Sequence, residues 1–108
     1  MGMTSLVKAI QSYSTVVRKK RTVQDVLLAT MAELGELSEE VAIDSGFCYK
    51  KAGPDGVVGE AVDVIICILD LIYIANPQLT EDQLVDIAIP KLMKWKCLTD
   101  TQIAQDNK

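Results

Sequence analysis

The chain has 108 residues, 49% of them hydrophobic and 24% charged, a length that suits one domain with one core and a balance typical of a folded protein. Its formal net charge of −4 excludes a general nucleic-acid binder, which needs excess Lys and Arg to neutralise phosphates. It contains no histidine, which removes the commonest general base, the Ser-His and Cys-His nucleophile pairs and every imidazole zinc site, so any chemistry must come from carboxylates, lysines or a metal.

The first helical segment is expected from Thr4 to Lys19, with Leu6, Ile10, Tyr13 and Val17 at three- and four-residue steps. It ends in the basic run Arg18-Lys19-Lys20-Arg21, read as cations that complement the helix dipole. The second segment is expected from Gln24 to Ile43, opened by Thr22 with Asp25 three residues on, the spacing of a capping box. At about 100° per residue, Glu33, Glu36 and Glu40 share one narrow stripe. Val23, Val26, Leu27, Leu34, Leu37 and Val41 fill the arc beside it, so the acids border the core face. Taken alone, such a stripe is more often a solvated helix face. Gly35 lies away from the acids and reads as a site of close helix packing.

Ser45 to Gly56 is a loop, with glycines, a proline and the pair Lys50-Lys51. Helix three is expected from Val57 to Ala75, stopping before Asn76-Pro77. It is as long as a membrane span, but Glu60, Asp63 and Asp70 would be costly in lipid, so a buried helix and no membrane is the reading. Thr80 and Gln83 form a second capping box and open helix four, expected to reach about Trp95 with a kink at Pro90 and a frayed tail beyond. Cys48, Cys67 and Cys97 have no CxxC spacing and do not read as a disulfide framework; Cys67, inside an aliphatic run, reads as a small core residue. With no leader pattern at the N-terminus, the expected compartment is the cytoplasm. The fold class expected is all-α, a four-helix bundle.

Helix three narrows the chemistry. Glu60, Asp63 and Asp70 fall within an arc of about 80° at helical spacing, while the rest of the helix is Val, Ile, Leu, Cys and Ala. A helix apolar nearly all round is expected to be buried, and buried carboxylates need a cation or strong hydrogen bonds; the plainer reading is that the stripe is the one wet side. Two helices each offering acids at i, i+3 can surround a hard divalent ion with oxygens, which suits Mg²⁺, with Mn²⁺ as a substitute. Helix three also offers more aliphatic surface than three short neighbours can cover, which points to at least a dimer.

Glu33-Leu-Gly-Glu36 followed beyond the loop by Glu60-Ala-Val-Asp63 resembles the ExxE…ExxD signature of the all-α nucleoside triphosphate pyrophosphohydrolases. The phrase AELGELSEE is similar to the MazG version, with Ala32 standing where that version carries the first of two glutamates. The resemblance spans roughly Gln24 to Lys96. It implies that Glu33, Glu36, Glu60 and Asp63 bind Mg²⁺ and are the catalytic set, and that the substrate is a (deoxy)nucleoside triphosphate cleaved to monophosphate and pyrophosphate. It further implies a homodimer or homotetramer. Asp70 stands where MazG-like proteins often carry Asn and has a candidate role at the sugar or base. Lys91 and Lys94 match the family's basic segment and have a candidate role at the phosphates, beside the plainer one of cations near a helix end. The alternatives are a dUTPase or dCTPase within the same group, and a non-catalytic acidic helical interaction module.

Overall fold

A computed structural model describes residues 3–17 and 20–107, and the side chains of 6–16 and 20–107. Among these residues the chain forms four helices and no strand: α1 (Met3–Val17), α2 (Val23–Asp44), α3 (Gly56–Ala75) and α4 (Glu81–Asp106). No helix is long and apolar enough to cross a membrane. The chain divides into two compact units, Met1–Gln78 and Leu79–Lys108.

Both expected capping boxes form. Thr22 accepts a hydrogen bond from the Asp25 amide, and the Asp25 carboxylate accepts one from the Thr22 amide; Thr80 and Gln83 do the same at α4. Each box satisfies amides that the first helical turn leaves without partners. The end of α2 closes as firmly. Gly46, with φ +80°, lets its amide donate to the Ile43 carbonyl while the Phe47 amide donates to that of Ala42. These are the paired bonds of a Schellman motif, which needs the left-handed conformation that glycine adopts without a Cβ clash.

In the first unit α3 packs against both α1 and α2. The paired positions give the direction. Glu40 meets Gly53 just before α3, Glu36 and Glu33 act on Glu60, Asp63 acts on Glu33, and Thr30 bonds to Cys67. Numbers that fall on α2 rise on α3, so the two helices run antiparallel. Gln11 with Pro77 and Ser14 with Asp70 set the same antiparallel sense for α1.

Several sequence expectations are corrected here. The core stripe of α1 is Val7, Ile10 and Ser14, while Tyr13 is 76% exposed; the stripe is rotated from the expected one because α3 meets the Val7 side. Val17's side chain lies outside the described residues. On α2 only Val26, Thr30 and Glu40 are buried, and on α3 only Tyr73 and Ile74. Leu27, Leu34, Val41, Val62 and Ile65 each keep more than two-fifths of their surface open, since three helices cannot enclose an apolar surface this wide. A Cβ on Gly35 would meet open space, so the glycine serves no close packing within the chain.

In the second unit α4 runs on through Pro90 to Asp106 instead of fraying after Trp95. Pro90 has no amide to offer the Asp86 carbonyl, yet the helix continues on both sides of it. Beyond Trp95 it is laced by four-residue pairs: Lys96 with Asp100 at 2.6 Å, Gln102 with Asp106 at 2.8 Å, and the Thr99 and Thr101 hydroxyls on the Trp95 and Cys97 carbonyls. The side-chain pairs Lys96–Asp100 and Gln102–Asp106 support a helix without a buried face.

Candidate metal centre

The antiparallel register of α2 and α3 brings the two acid pairs together. Carboxylate oxygens of Glu33, Glu36 and Glu60 lie within 4.8 Å of one another, and so do those of Asp55, Glu60 and Asp63. All four acids expected from the sequence are therefore in one place, with Glu60 common to both groups. Asp55 is the member that sequence reasoning missed. It sits in the loop at the N-cap of α3 but its side chain makes no capping bond. A Cβ on Gly59 would collide with the Asp55 side chain, so the lack of one at position 59 lets Asp55 lie against the helix. The signal available in the sequence was the Pro54-Asp55-Gly56 turn directly before the helix that carries Glu60 and Asp63.

The electrostatics are those of crowded anions. Burial pushes the Glu33 carboxyl above its ordinary value, and its contact with Glu36 and the charges of Glu36 and Asp63 push the same way. Glu60 is raised by burial, then by Glu36, Asp63, Glu33 and Asp55. One oxygen of Glu33 and one of Glu60 are enclosed and accept no hydrogen bond among the described residues. The ion pairs among those residues fall elsewhere: Arg21 on Asp70, Lys50 on Glu39 and Lys96 on Asp100. Enclosed oxygens without donors and raised carboxyl pKa values both relax when a cation enters. The donor set is all oxygen, which fits a hard divalent ion.

Glu40, Asp70 and Glu39 have partners of their own. Glu40, on the same stripe as Glu33 and Glu36, is buried and accepts the Gly53 amide at 2.6 Å, holding the loop to α2. Asp70 is engaged by Arg21 through both terminal nitrogens, one of them at 3.0 Å, and by the Ser14 hydroxyl. Burial opposes its ionisation, but these bonds and the guanidinium charge outweigh it and hold the carboxyl below its ordinary value. Arg21 is thus an ion-pair partner of α3 and no helix-dipole cation; Arg18 and Lys19 lie outside the described residues. Lys50 pairs with Glu39 at 3.1 Å, and Lys51 is exposed. Lys91 and Lys94 stand exposed on α4 in the second unit. Cys67 is half-buried between the cluster and Asp70. Its thiol is pushed up by burial and by the charges of Glu33, Asp70 and Asp63, against a bond with Thr30. Compared with family models, curated proteins and solved structures, the chain matches none.

Proposed function

We propose that this chain is a MazG-like, Mg²⁺-dependent pyrophosphohydrolase that cleaves (deoxy)nucleoside triphosphates to the monophosphate and pyrophosphate. The observation that carries the reading is the convergence of Glu33, Glu36, Glu60 and Asp63 from two antiparallel helices, with no cation paired to them among the described residues. These four, joined by Asp55, would hold the ion. Bound there, it would supply charge neutralisation for the triphosphate and a lowered pKa for water. The protein's own part is to fix four carboxylates on two helix faces and a fifth at the N-cap of α3, so that little reorganisation is needed when charge develops.

The test is incubation with the common NTPs and dNTPs plus Mg²⁺ or Mn²⁺ in oxygen-labelled water. Pyrophosphate should be released, with the label in the monophosphate. A preference confined to dUTP or dCTP would move the reading to that branch of the group. Orthophosphate, or no product and no stabilisation by Mg²⁺, would overturn it in favour of another hydrolase or an interaction module. The bundle is proposed to be completed by a homodimer or homotetramer, since Leu27, Leu34, Val62 and Ile65 are partly open on one chain and an apolar surface of that extent favours an interface. A monomer mass by light scattering at micromolar concentration would overturn that.

A further inference from the structure

Glu40 lies one turn beyond Glu36 on α2, about 6 Å along the axis, and only 8% of its surface is exposed. A carboxylate enclosed to that degree is costly unless a cation or hydrogen-bond donors meet it. Its Oε1 accepts from the Gly53 amide at 2.6 Å, and none of the ion pairs among the described residues includes it. What this bond holds is a short arm of the loop, Gly53-Pro54-Asp55.

Two missing Cβ atoms shape the seat of that arm. A Cβ on Gly53 would stand 2.6 Å from Glu40 Oε1, and one on Gly59 would collide with the Asp55 side chain. The arm therefore lies close on α2 at one end and on α3 at the other. Pro54, between them, has its φ fixed by its ring and biases Gly53 toward extended backbone. A shift at Gly53 is thus passed on to Asp55. The Asp55 carboxylate lies within 4.8 Å of those of Glu60 and Asp63, whose charges repel it toward solvent. It makes no capping bond that would keep it there. Its place depends on the backbone that carries it.

We infer that Glu40 is a positioning residue for the metal centre: bonded to the Gly53 amide, it seats the arm so that Asp55 joins Glu60 and Asp63. Glu40 touches neither ion nor substrate and acts through Asp55. This role rests on the metal-dependent reading above, but its test reads amide exchange and ion binding, with no turnover.

Glu40→Ala removes the acceptor, and Gly53→Ala displaces it. The fold tolerates the second change, because the flexible end of Glu40 can swing away and Gly53 lacks the positive φ of Gly46 and Gly56. In both variants the Gly53 region should exchange its amide hydrogens faster in metal-free protein. Mn²⁺ affinity by titration calorimetry should fall about tenfold or more, the usual scale for a group that orients a ligand. Glu40→Gln loses the same charge as Glu40→Ala but keeps an oxygen acceptor, so it should bind nearer to the parent. Adding Asp55→Asn to either alanine variant should weaken binding little beyond Asp55→Asn alone, since both changes act on one ligand, whereas a general loosening of the fold would add to it. If Glu40→Ala does not fold, Gly53→Ala carries the comparison. Parental affinity in a folded alanine variant, Glu40→Gln as weak as Glu40→Ala, or additive losses overturn the role of Glu40 and leave the metal reading standing. A parent that binds no Mn²⁺ overturns both.

Discussion

Asp63 and Asp70 are the same residue type, seven positions apart on the same face of one helix, yet one stands among like charges and the other beside a cation. Asp70 has a guanidinium and a hydroxyl, and its carboxyl is held below the ordinary value. Asp63 has Asp55 and Glu60 within 4.8 Å, and its charge helps to raise Glu33 and Glu60. One end of the stripe is a closed ion pair. The other is a set of acids with no cation paired to them among the described residues. Composition alone cannot separate the two ends; the partner supplied by a distant stretch of chain does.

The largest effect expected on this contrast is on activity. Asp63→Asn removes one charge at nearly constant volume. It should lower pyrophosphohydrolase activity by about a hundredfold or more, the scale that positioned metal and electrostatics contribute. Without divalent ions it should melt at the parent's temperature or higher, because a like charge has left the cluster. Mg²⁺ should stabilise the parent by mass action and the variant less. Calorimetric scans with and without Mg²⁺, beside steady-state rates, check all three. Retained activity or an equal Mg²⁺ response would take Asp63 out of the centre.

The elements that carry this contrast were legible in the sequence, the contrast itself was not, and the reason is physical. The four helices, both capping boxes and the acid pairs were visible because they rest on local spacing: three residues for a box, three or four for a helix face. The fate of each acid was hidden, because it depends on partners far along the chain. Glu40 has the same periodicity as Glu33 and Glu36, yet it alone meets the Gly53 amide. Arg21 looked like a helix-end cation until the fold brought it to Asp70, 49 residues on. The tail of α4 was missed for the opposite reason. It has no apolar rhythm to read, and it is held by polar pairs four residues apart.

The second effect is on stability at the completed end. Asp70→Asn would leave Arg21 half-enclosed without its counter-charge. The pair's side chains keep 19% and 31% of their surface exposed, so its loss falls between the ~0.2–1 kcal/mol of exposed pairs and the ~3–5 kcal/mol of buried ones. We expect about 1–2 kcal/mol, read by urea or thermal unfolding. The pH dependence should differ in sign between the two ends. Asp70's folded pKa is depressed, so its contribution is complete above the ordinary 3.8 and is lost as pH falls through the lower folded value. Glu33 and Glu60 are raised from 4.5, so without metal they cost stability as pH rises from 4.5 through their folded values. Asp70→Asn should flatten the acid limb of the stability curve and leave the other limb intact. A variant that flattened both would mean that the two ends titrate as one group.

The smallest effect tests whether the contrast is local at all. With a net charge of −4, removing any acid relieves the chain's overall repulsion, and Asp63→Asn could gain stability for that reason alone. Glu39→Gln separates the two causes. Glu39 lies on α2 beside the cluster's own helix face, but it is about half exposed and pairs at 3.1 Å with Lys50, which is more exposed still. Exposed pairs are worth little, and salt screens charges beyond a Debye length of about 8 Å at physiological ionic strength. The clustered oxygens, within 4.8 Å of one another, fall well inside that length. Glu39→Gln should therefore change stability by less than about 0.5 kcal/mol, leave activity unchanged and keep the parent's full response to Mg²⁺. If it instead raised the metal-free melting temperature as much as Asp63→Asn, the relief would come from net charge, and the crowding of Asp55, Glu60 and Asp63 would no longer distinguish one end of α3 from the other.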